Sequence, residues 1–315
     1  MEEKNKKQKI LIIGINGQDG SFLAEALSLQ GYQIYGIGRS GKISKYLRTL
    51  NVTYYQCNLT ELDVVEKIFL RVMPDMIIHT AAVNGAAGTI YESEWKQIYS
   101  VNIASAHAAL EYARVSNKRP SIIYFSSAKV FDLFSRSPID ESSPRTVSCI
   151  YSNTKSTTEN LIDYYRDNYG ITASIIWLFN HDSSRKNRDF FLPKLVRCLI
   201  AAQEDPCHKE TFNSLDFYCD WGCAKEYMEI LSESIFEIGS QDFILASGIL
   251  TNGRKLAFDL FSSYGLNFEN HIACKYQADN PQKYLIVLNR ARKLLKRMPI
   301  KSPLMICNDI LHEIK

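Results

Sequence analysis

Near its start the chain carries Gly14-Ile15-Asn16-Gly17-Gln18-Asp19-Gly20, three glycines spaced G-x-x-G-x-x-G between the apolar run Lys9–Ile13 and a helical face of Phe22, Leu23, Ala26 and Leu27. An apolar strand, a glycine turn and a helix in that order open a parallel α/β sheet. Glycine permits both the tight reversal and the close approach of a ligand's phosphates to the backbone. The helix N-terminus then offers N–H groups and partial positive charge to a pyrophosphate. On this reading Gly14, Asn16, Gly17, Gln18, Asp19 and Gly20 line a dinucleotide site.

The same alternation runs through the first half. Periodicity predicts strands over 9–13, 33–37, 52–57, 76–80, 121–126 and 172–178, with helices over 21–30, 61–72, 95–116 and 152–168. Short apolar runs separated by helical segments imply parallel strands and crossover helices. The expected fold is therefore α/β, a Rossmann-type doubly wound parallel sheet with a smaller C-terminal substrate-binding part. After Phe179 the rhythm turns irregular, with a polar, basic stretch over 180–189 and a helical piece to about residue 203. The expected division is 1–179 for an NAD(P)-binding domain that includes the mid-chain helix, and 180–315 for a mainly substrate-binding domain, some of whose segments return to the sheet.

Composition sets outer bounds. With 315 residues, 46% hydrophobic and 23% charged, the chain can bury one large core or two smaller ones, which excludes disordered and collagen-like classes. Its 37 basic and 34 acidic residues leave a formal charge of +3, too even a balance to mark a nucleic-acid binder. The charged leader over 1–9 reads as a solvated tail, and the apolar run behind it stops at Gly14, short of a secretory core. No stretch approaches the roughly 18 apolar residues of a membrane span. A soluble, cytoplasmic protein without membrane or nucleic-acid partners is expected. Eight cysteines at scattered spacings argue for reduced thiols. Cys207, His208, Cys219 and Cys223 do not match zinc-finger spacing, and no metal is expected.

Two further constellations carry chemistry. The second strand ends at Gly38-Arg39-Ser40. A carboxylate there takes the ribose hydroxyls of NAD, whereas an arginine accommodates a 2′-phosphate, so Arg39 and Ser40 favour NADP(H), with NAD(H) the alternative. In mid-chain, Tyr151 and Lys155 stand four residues apart on one helical face. The ammonium and a positive nicotinamide are expected to lower the phenol pKa, so that the tyrosine exchanges a proton with a substrate hydroxyl. Ser126 and Ser127 end a strand upstream, where a hydroxyl can hold the substrate oxygen.

With these residues the chain resembles the extended short-chain dehydrogenases/reductases, and most closely the GDP-mannose 4,6-dehydratase group. The resemblance rests on the opening turn through Glu25, on Val101-Asn102, on Leu178-Phe-Asn-His-Asp-Ser-Ser184, on Asp220-Trp-Gly222 and on Phe243-Ile-Leu-Ala-Ser-Gly248, and it thins after about residue 250. It implies Ser127 and Tyr151 on the reacting hydroxyl and Lys155 on the nicotinamide ribose. Asn102 would support the active-site helix within the cofactor-binding set, and Ala81 and Ala82 would line the cofactor. Asn58 and Leu59 would stand near the adenine, the Asn in place of the group's Asp. Asn180 would face a nucleotide-sugar. The basic run Arg185-Lys-Asn-Arg188 is either part of a tetramer interface around a neighbour's cofactor or a set of solvated charges, and a homodimer or homotetramer is expected.

Three positions depart from the group's pattern. Lys129 stands where a carboxylate two residues after the active-site hydroxyl normally takes the C5 proton during elimination. An ammonium with a reference pKa of about 10.4 is not a base unless strongly desolvated. Cys219 replaces the arginine before Asp-Trp-Gly, and Asn280-Pro281 replaces a later Arg-Pro pair. Lys194 and Lys283 are candidates to hold the diphosphate instead. The expected activity is hydride transfer at C4 of a nucleotide-hexose, as 4-keto reductase, dehydrogenase or epimerase. The alternatives are a 4,6-dehydratase in which Lys129, Asp132 or another group serves as base, and a cofactor-binding homologue without turnover.

Overall fold

The computed structural model describes residues 7–86, 88–133 and 138–315; the first six residues of the charged leader lie outside them. In chain order the strands are β1 (Lys9–Ile13), β2 (Gln33–Gly38), β3 (Val52–Gln56), β4 (Met76–His79), β5 (Ser121–Ser127), β6 (Ala173–Leu178), β7 (Asn180–Asp182), β8 (Glu210–Phe212), β9 (Tyr218–Cys223), β10 (Phe243–Leu245), β11 (Leu250–Asn252) and β12 (Ile272–Cys274). The helices are α1 (Gln18–Leu29), α2 (Leu62–Val72), α3 (Trp95–Tyr99), α4 (Ser105–Val115), α5 (Ile150–Tyr169), α6 (Phe191–Glu204), α7 (Ala224–Ser234), α8 (Gly253–Ser262), α9 (Phe268–His271), α10 (Asn289–Leu294) and α11 (Pro303–Ile314).

Strand β1 shows why the first half reads as apolar runs. Ile10 and Ile12 pack on one face with Phe22, Leu23 and Leu27, while Leu11 and Ile13 pack on the other with Phe69 and Ile77. A strand covered on both faces must be apolar at every position. Seven strands form one parallel sheet in the order β10-β6-β5-β4-β1-β2-β3, with the edge strand β3 only partly covered. The chain winds outward from β1 to β3, then crosses to β4 on the other side of β1. That reversal makes a crevice at the carboxyl ends of β1 and β4, where ligands of doubly wound sheets bind.

Helices α2, α4 and α5 cover one face of the sheet, and α1, α7 and α10 cover the other. Beyond β6 the chain builds a third core around Leu195, Leu199, Trp221, Leu260 and Ile310, roofed by a three-stranded sheet of order β11-β9-β7 and by the β8–β12 pair. Between these, β10 adds to the edge of the large sheet beside β6.

Most element boundaries fall within a residue or so of the sequence expectation, and three larger differences stand out. Helix α1 starts at Gln18 rather than at 21, because Gly17 in extended geometry serves as its N-cap. Helix α5 starts at Ile150, where Cys149 and Ser152 form a capping box. The helix expected over 95–116 is interrupted by a π-helical turn at Ser100–Ala104, a feature that often marks functional sites.

Candidate active site

The crevice opens into a cavity of about 1550 Å³, larger than the roughly 300–1,000 Å³ usual for one small ligand. Its floor is the glycine turn. Gly14 has φ +92°, and a Cβ there would lie 2.8 Å from the Ala81 backbone; one on Gly20 would lie 2.5 Å from the Gly14 carbonyl oxygen. The turn therefore packs backbone on backbone, leaving the N-terminus of α1 open to a phosphate. Gly14, Asn16, Gly17, Gln18, Asp19 and Gly20 all line the cavity, with Arg39, Ser40, Asn58, Leu59, Ala81 and Ala82. Asn16 also fixes the loop after β2, accepting from Ser44 N–H (2.8 Å) and donating to the Tyr54 hydroxyl (3.1 Å). Such a cradle fits a dinucleotide.

On the opposite wall stand Ser127, Lys129, Tyr151 and Lys155. Ser127 ends β5 and hydrogen-bonds the Tyr151 phenol. Tyr151 and Lys155 rise from the first turns of α5, both buried. The Lys155 ammonium donates to the Phe125 carbonyl (2.6 Å) and lies 5.8 Å from the Tyr151 ring centroid. Burial pushes its pKa down to about 7, although the Glu159 and Asp19 carboxylates raise it. The phenol departs from expectation: burial pushes its pKa well up, and the Ser127 hydrogen bond only moderates this. The protein's own charges do not activate Tyr151. A positive nicotinamide ring, if bound beside the phenol, would supply the lowering charge.

Several supporting residues escaped the sequence reading. Glu159, one turn beyond Lys155, accepts from Ser126, Trp177 Nε1 (2.9 Å) and Arg145 Nε (2.8 Å), tying α5 to β5 and β6. Its i,i+4 spacing from Lys155 was the available signal. Tyr91 stacks on Tyr151 with centroids 6.2 Å apart. Asp19 pairs with His181 Nε2 at 2.9 Å. Burial alone would raise its pKa, but the His181 and Lys186 charges and hydrogen bonds from His181 and Gln18 hold it below the usual carboxylate range. No local pattern joins residues so far apart in the chain.

Other expected residues take different places. Asn102 is fully buried in the π turn, off the cavity wall: it accepts from Val83 N–H (2.8 Å) and donates to Thr154 Oγ1 (3.0 Å), bridging the segment after β4 to α5 directly. Asn180 lies on the wall and donates to Cys219 Sγ (2.7 Å). Lys194 lines the cavity but is committed to Glu210 (3.2 Å) and the Thr211 carbonyl. Lys283 and Asn280-Pro281 border a separate, smaller pocket, and Asp132 lies off the main wall. Arg185 is not a solvated charge: it lines the cavity, sandwiched between Phe22 (3.7 Å) and Tyr46 (3.9 Å), and bonds Ser21 and Glu25. Among the described residues no group of three or more His, Cys, Asp or Glu is placed to hold a metal, and no helix is long and apolar enough to cross a membrane.

Known proteins share this architecture and sequence. A UDP-glucose 4-epimerase from Thermotoga maritima superposes with a TM-score of 0.82 at 17% identity, covering 98% of each chain. A dTDP-glucose 4,6-dehydratase from Bacillus anthracis, solved with NAD, gives 0.80 at 13% identity over 97% of this chain and 96% of that one. In sequence, a GDP-mannose 4,6-dehydratase of Vibrio cholerae is 27% identical over 263 residues, 79% of this chain and 70% of that protein. The model of the GDP-mannose 4,6 dehydratase family matches residues 11–294, from β1 to the end of α10. With the glycine cradle and the Ser127, Tyr151 and Lys155 set inside that span, the chain belongs to this family of extended short-chain dehydrogenases/reductases.

Proposed function

We propose that this chain is an NAD(P)-dependent enzyme that transfers hydride at C4 of a nucleotide-hexose, as a 4-keto reductase, dehydrogenase or epimerase. The observation that carries the reading is the cavity wall itself, where Ser127, Tyr151 and Lys155 converge and the neighbouring position is the ammonium of Lys129. A bound nicotinamide supplies the hydride acceptor and donor. Tyr151 Oη takes the proton of the C4 hydroxyl during oxidation and returns it during reduction. Ser127 holds the same oxygen, and Lys155 orients the cofactor ribose while keeping positive charge beside the phenol. Hydride transfer needs no further group.

Arg39 supports a preference for NADP(H): it is exposed on the cavity wall and makes no ion pair among the described residues. NAD(H) remains the alternative, since the Bacillus anthracis relative was solved with NAD. An oligomer, dimer or tetramer, belongs to the same proposal.

A second reading, elimination across C5 and C6 as in the dehydratases for which the family is named, draws support from the extent of the family match. Carboxylates line the cavity, Asp19 and Asp182 among them, but none forms an ion pair with Lys129 among the described residues. Turnover in deuterated water separates the two. The expected product keeps its C6 oxygen; a 6-deoxy sugar labelled at C5 overturns the first reading in favour of the second.

A further inference from the structure

Lys129 belongs to the short turn Ala128–Val130 that follows Ser127, and its backbone N–H donates to the Ser127 hydroxyl oxygen at 3.3 Å. The turn is thereby locked to the serine that holds the substrate oxygen. The Lys129 ammonium lies 5.6 Å from the centroid of the Tyr151 ring, on the cavity wall. No carboxylate among the described residues comes within ion-pair distance of it.

Other positive charge is close by. Lys186 faces the same space, and its own partner, Asp182, is 3.9 Å away, at the limit of an ion pair. Partial burial lowers the Lys129 pKa; the Cys149 thiol opposes this, and Lys186 adds to it. Lys155 stands on the other side of Tyr151, its ammonium turned back to the Phe125 carbonyl. The neighbourhood of the phenol thus has an uncompensated cation facing into the cavity. Lys129 is an exposed residue of the cavity wall, and its unpaired ammonium is free to meet an anionic ligand.

The position of that cation relative to the reacting atoms limits which anion it meets. If C4 of a pyranose sits with its oxygen on Tyr151 and Ser127, the carbon bearing the nucleotide, C1, lies across the ring. The diphosphate is then directed away from Lys129. The substituents within reach are those on the two adjacent carbons, the C3 hydroxyl and the C6 group on C5, and of these only C6 can be oxidised to a carboxylate with the ring intact.

Resting on the C4 hydride-transfer reading, we propose that Lys129 is a specificity determinant that pairs with a carboxylate at C6, so that the preferred substrates are nucleotide-hexuronates rather than neutral nucleotide-hexoses. A C6 hydroxyl accepts a hydrogen bond from the ammonium but leaves its charge uncompensated. A C6 carboxylate accepts a charge-assisted bond, roughly twice as strong.

The test uses matched ligands and the full-length protein loaded with cofactor. Binding of UDP-glucuronate against UDP-glucose, and of GDP-mannuronate against GDP-mannose, is measured by calorimetry for the wild type, Lys129→Met and Lys129→Arg. The hexuronate of at least one pair is expected to bind about 10- to 100-fold more tightly than its neutral partner. Lys129→Met should bring that ratio close to one, and Lys129→Arg should restore most of it. A wild type that prefers the neutral sugar in both pairs, or a preference that survives in Lys129→Met with circular dichroism unchanged, overturns the inference. Reduction of the bound nicotinamide is followed in the same samples. Neutral hexoses that react while hexuronates neither bind better nor react refute the role of Lys129 alone; a hexuronate that binds with the expected preference while no sugar or 4-keto sugar changes the nicotinamide absorbance and mass spectrometry and chromatography find no product altered at C4 refutes hydride transfer alone.

Discussion

Tyr151 and Lys155 sit one helical turn apart, and burial moves their proton affinities in opposite directions, up for the phenol and down to about 7 for the ammonium. Tyr151→Phe keeps the ring in its contact with Tyr91 and removes only the hydroxyl. Turnover should fall at least about 10²–10⁴-fold while cofactor binding persists; unchanged turnover would refute the assignment. For Lys155 the linkage can be worked out. The folded-state pKa is below the unfolded value of 10.5, so between about 7 and 10.5 the unfolded chain holds more protons, and the lysine's contribution to stability rises with pH across that window. Below about 7 both states are protonated and the full cost of the buried charge is present. Lys155→Met should abolish turnover and stabilise the cofactor-free protein at pH 6 by about 1–4 kcal/mol, an advantage that shrinks toward pH 10. Urea unfolding from pH 6 to 10 measures it, and parallel profiles for the two proteins would count against the shifted lysine.

At the scale of elements, the strand–turn–helix unit and the π turn position the site. Gly20→Ala places a Cβ 2.5 Å from the Gly14 carbonyl and 2.8 Å from Ile15 Cα, both backbone, so the turn must open. The expected cost is about 1–3 kcal/mol of stability, and cofactor affinity should drop about tenfold or more, since 1.4 kcal/mol of misfit suffices. Calorimetric titration with the dinucleotide checks this. Asn102→Ala leaves the Val83 N–H and the Thr154 hydroxyl without their Asn102 partner inside the core. Roughly 2–4 kcal/mol of destabilisation is expected, together with a lower kcat as α5 loses its tie to the segment after β4. A variant as stable and active as the wild type would remove the positioning role. The strands and most helices are legible in the sequence because strands covered on both faces read as short continuous apolar runs, while burial repeats every 3.6 residues in a helix. The π turn is not: Ser100–Ala104 fits the helical period, and the partners of Asn102 within it, Val83 and Thr154, lie far away in the chain.

For the whole molecule, the cavity joins the sheet to the later part of the chain. Gln18 donates to the His181 carbonyl (3.2 Å) and accepts from Ser183 (2.8 Å), across the two parts. A ligand that fills the cavity therefore stabilises the fold as a unit, by about 2.7 kcal/mol at a hundred times its Kd. At equal concentrations NADP⁺ should raise the thermal midpoint more than NAD⁺, and Arg39→Ala should erase the difference. Equal shifts in the wild type would sink the preference assigned to Arg39.

The order strand, glycine turn, helix and the four-residue spacing of Tyr151 and Lys155 are properties of contiguous residues, and they alone determined the parallel sheet and marked Tyr151 and Lys155 as the candidate pair on one helical face. The tertiary structure alone decided which distant residues meet: Arg185 between Phe22 and Tyr46, His181 on Asp19, and Lys129 against Tyr151. It also decided which groups are buried, and that burial raises the pKa of the Tyr151 phenol. Local pattern records how often a side chain turns inward. What it finds there, and how much water it leaves behind, depends on elements far away in the chain, and those two quantities govern packing and proton affinity.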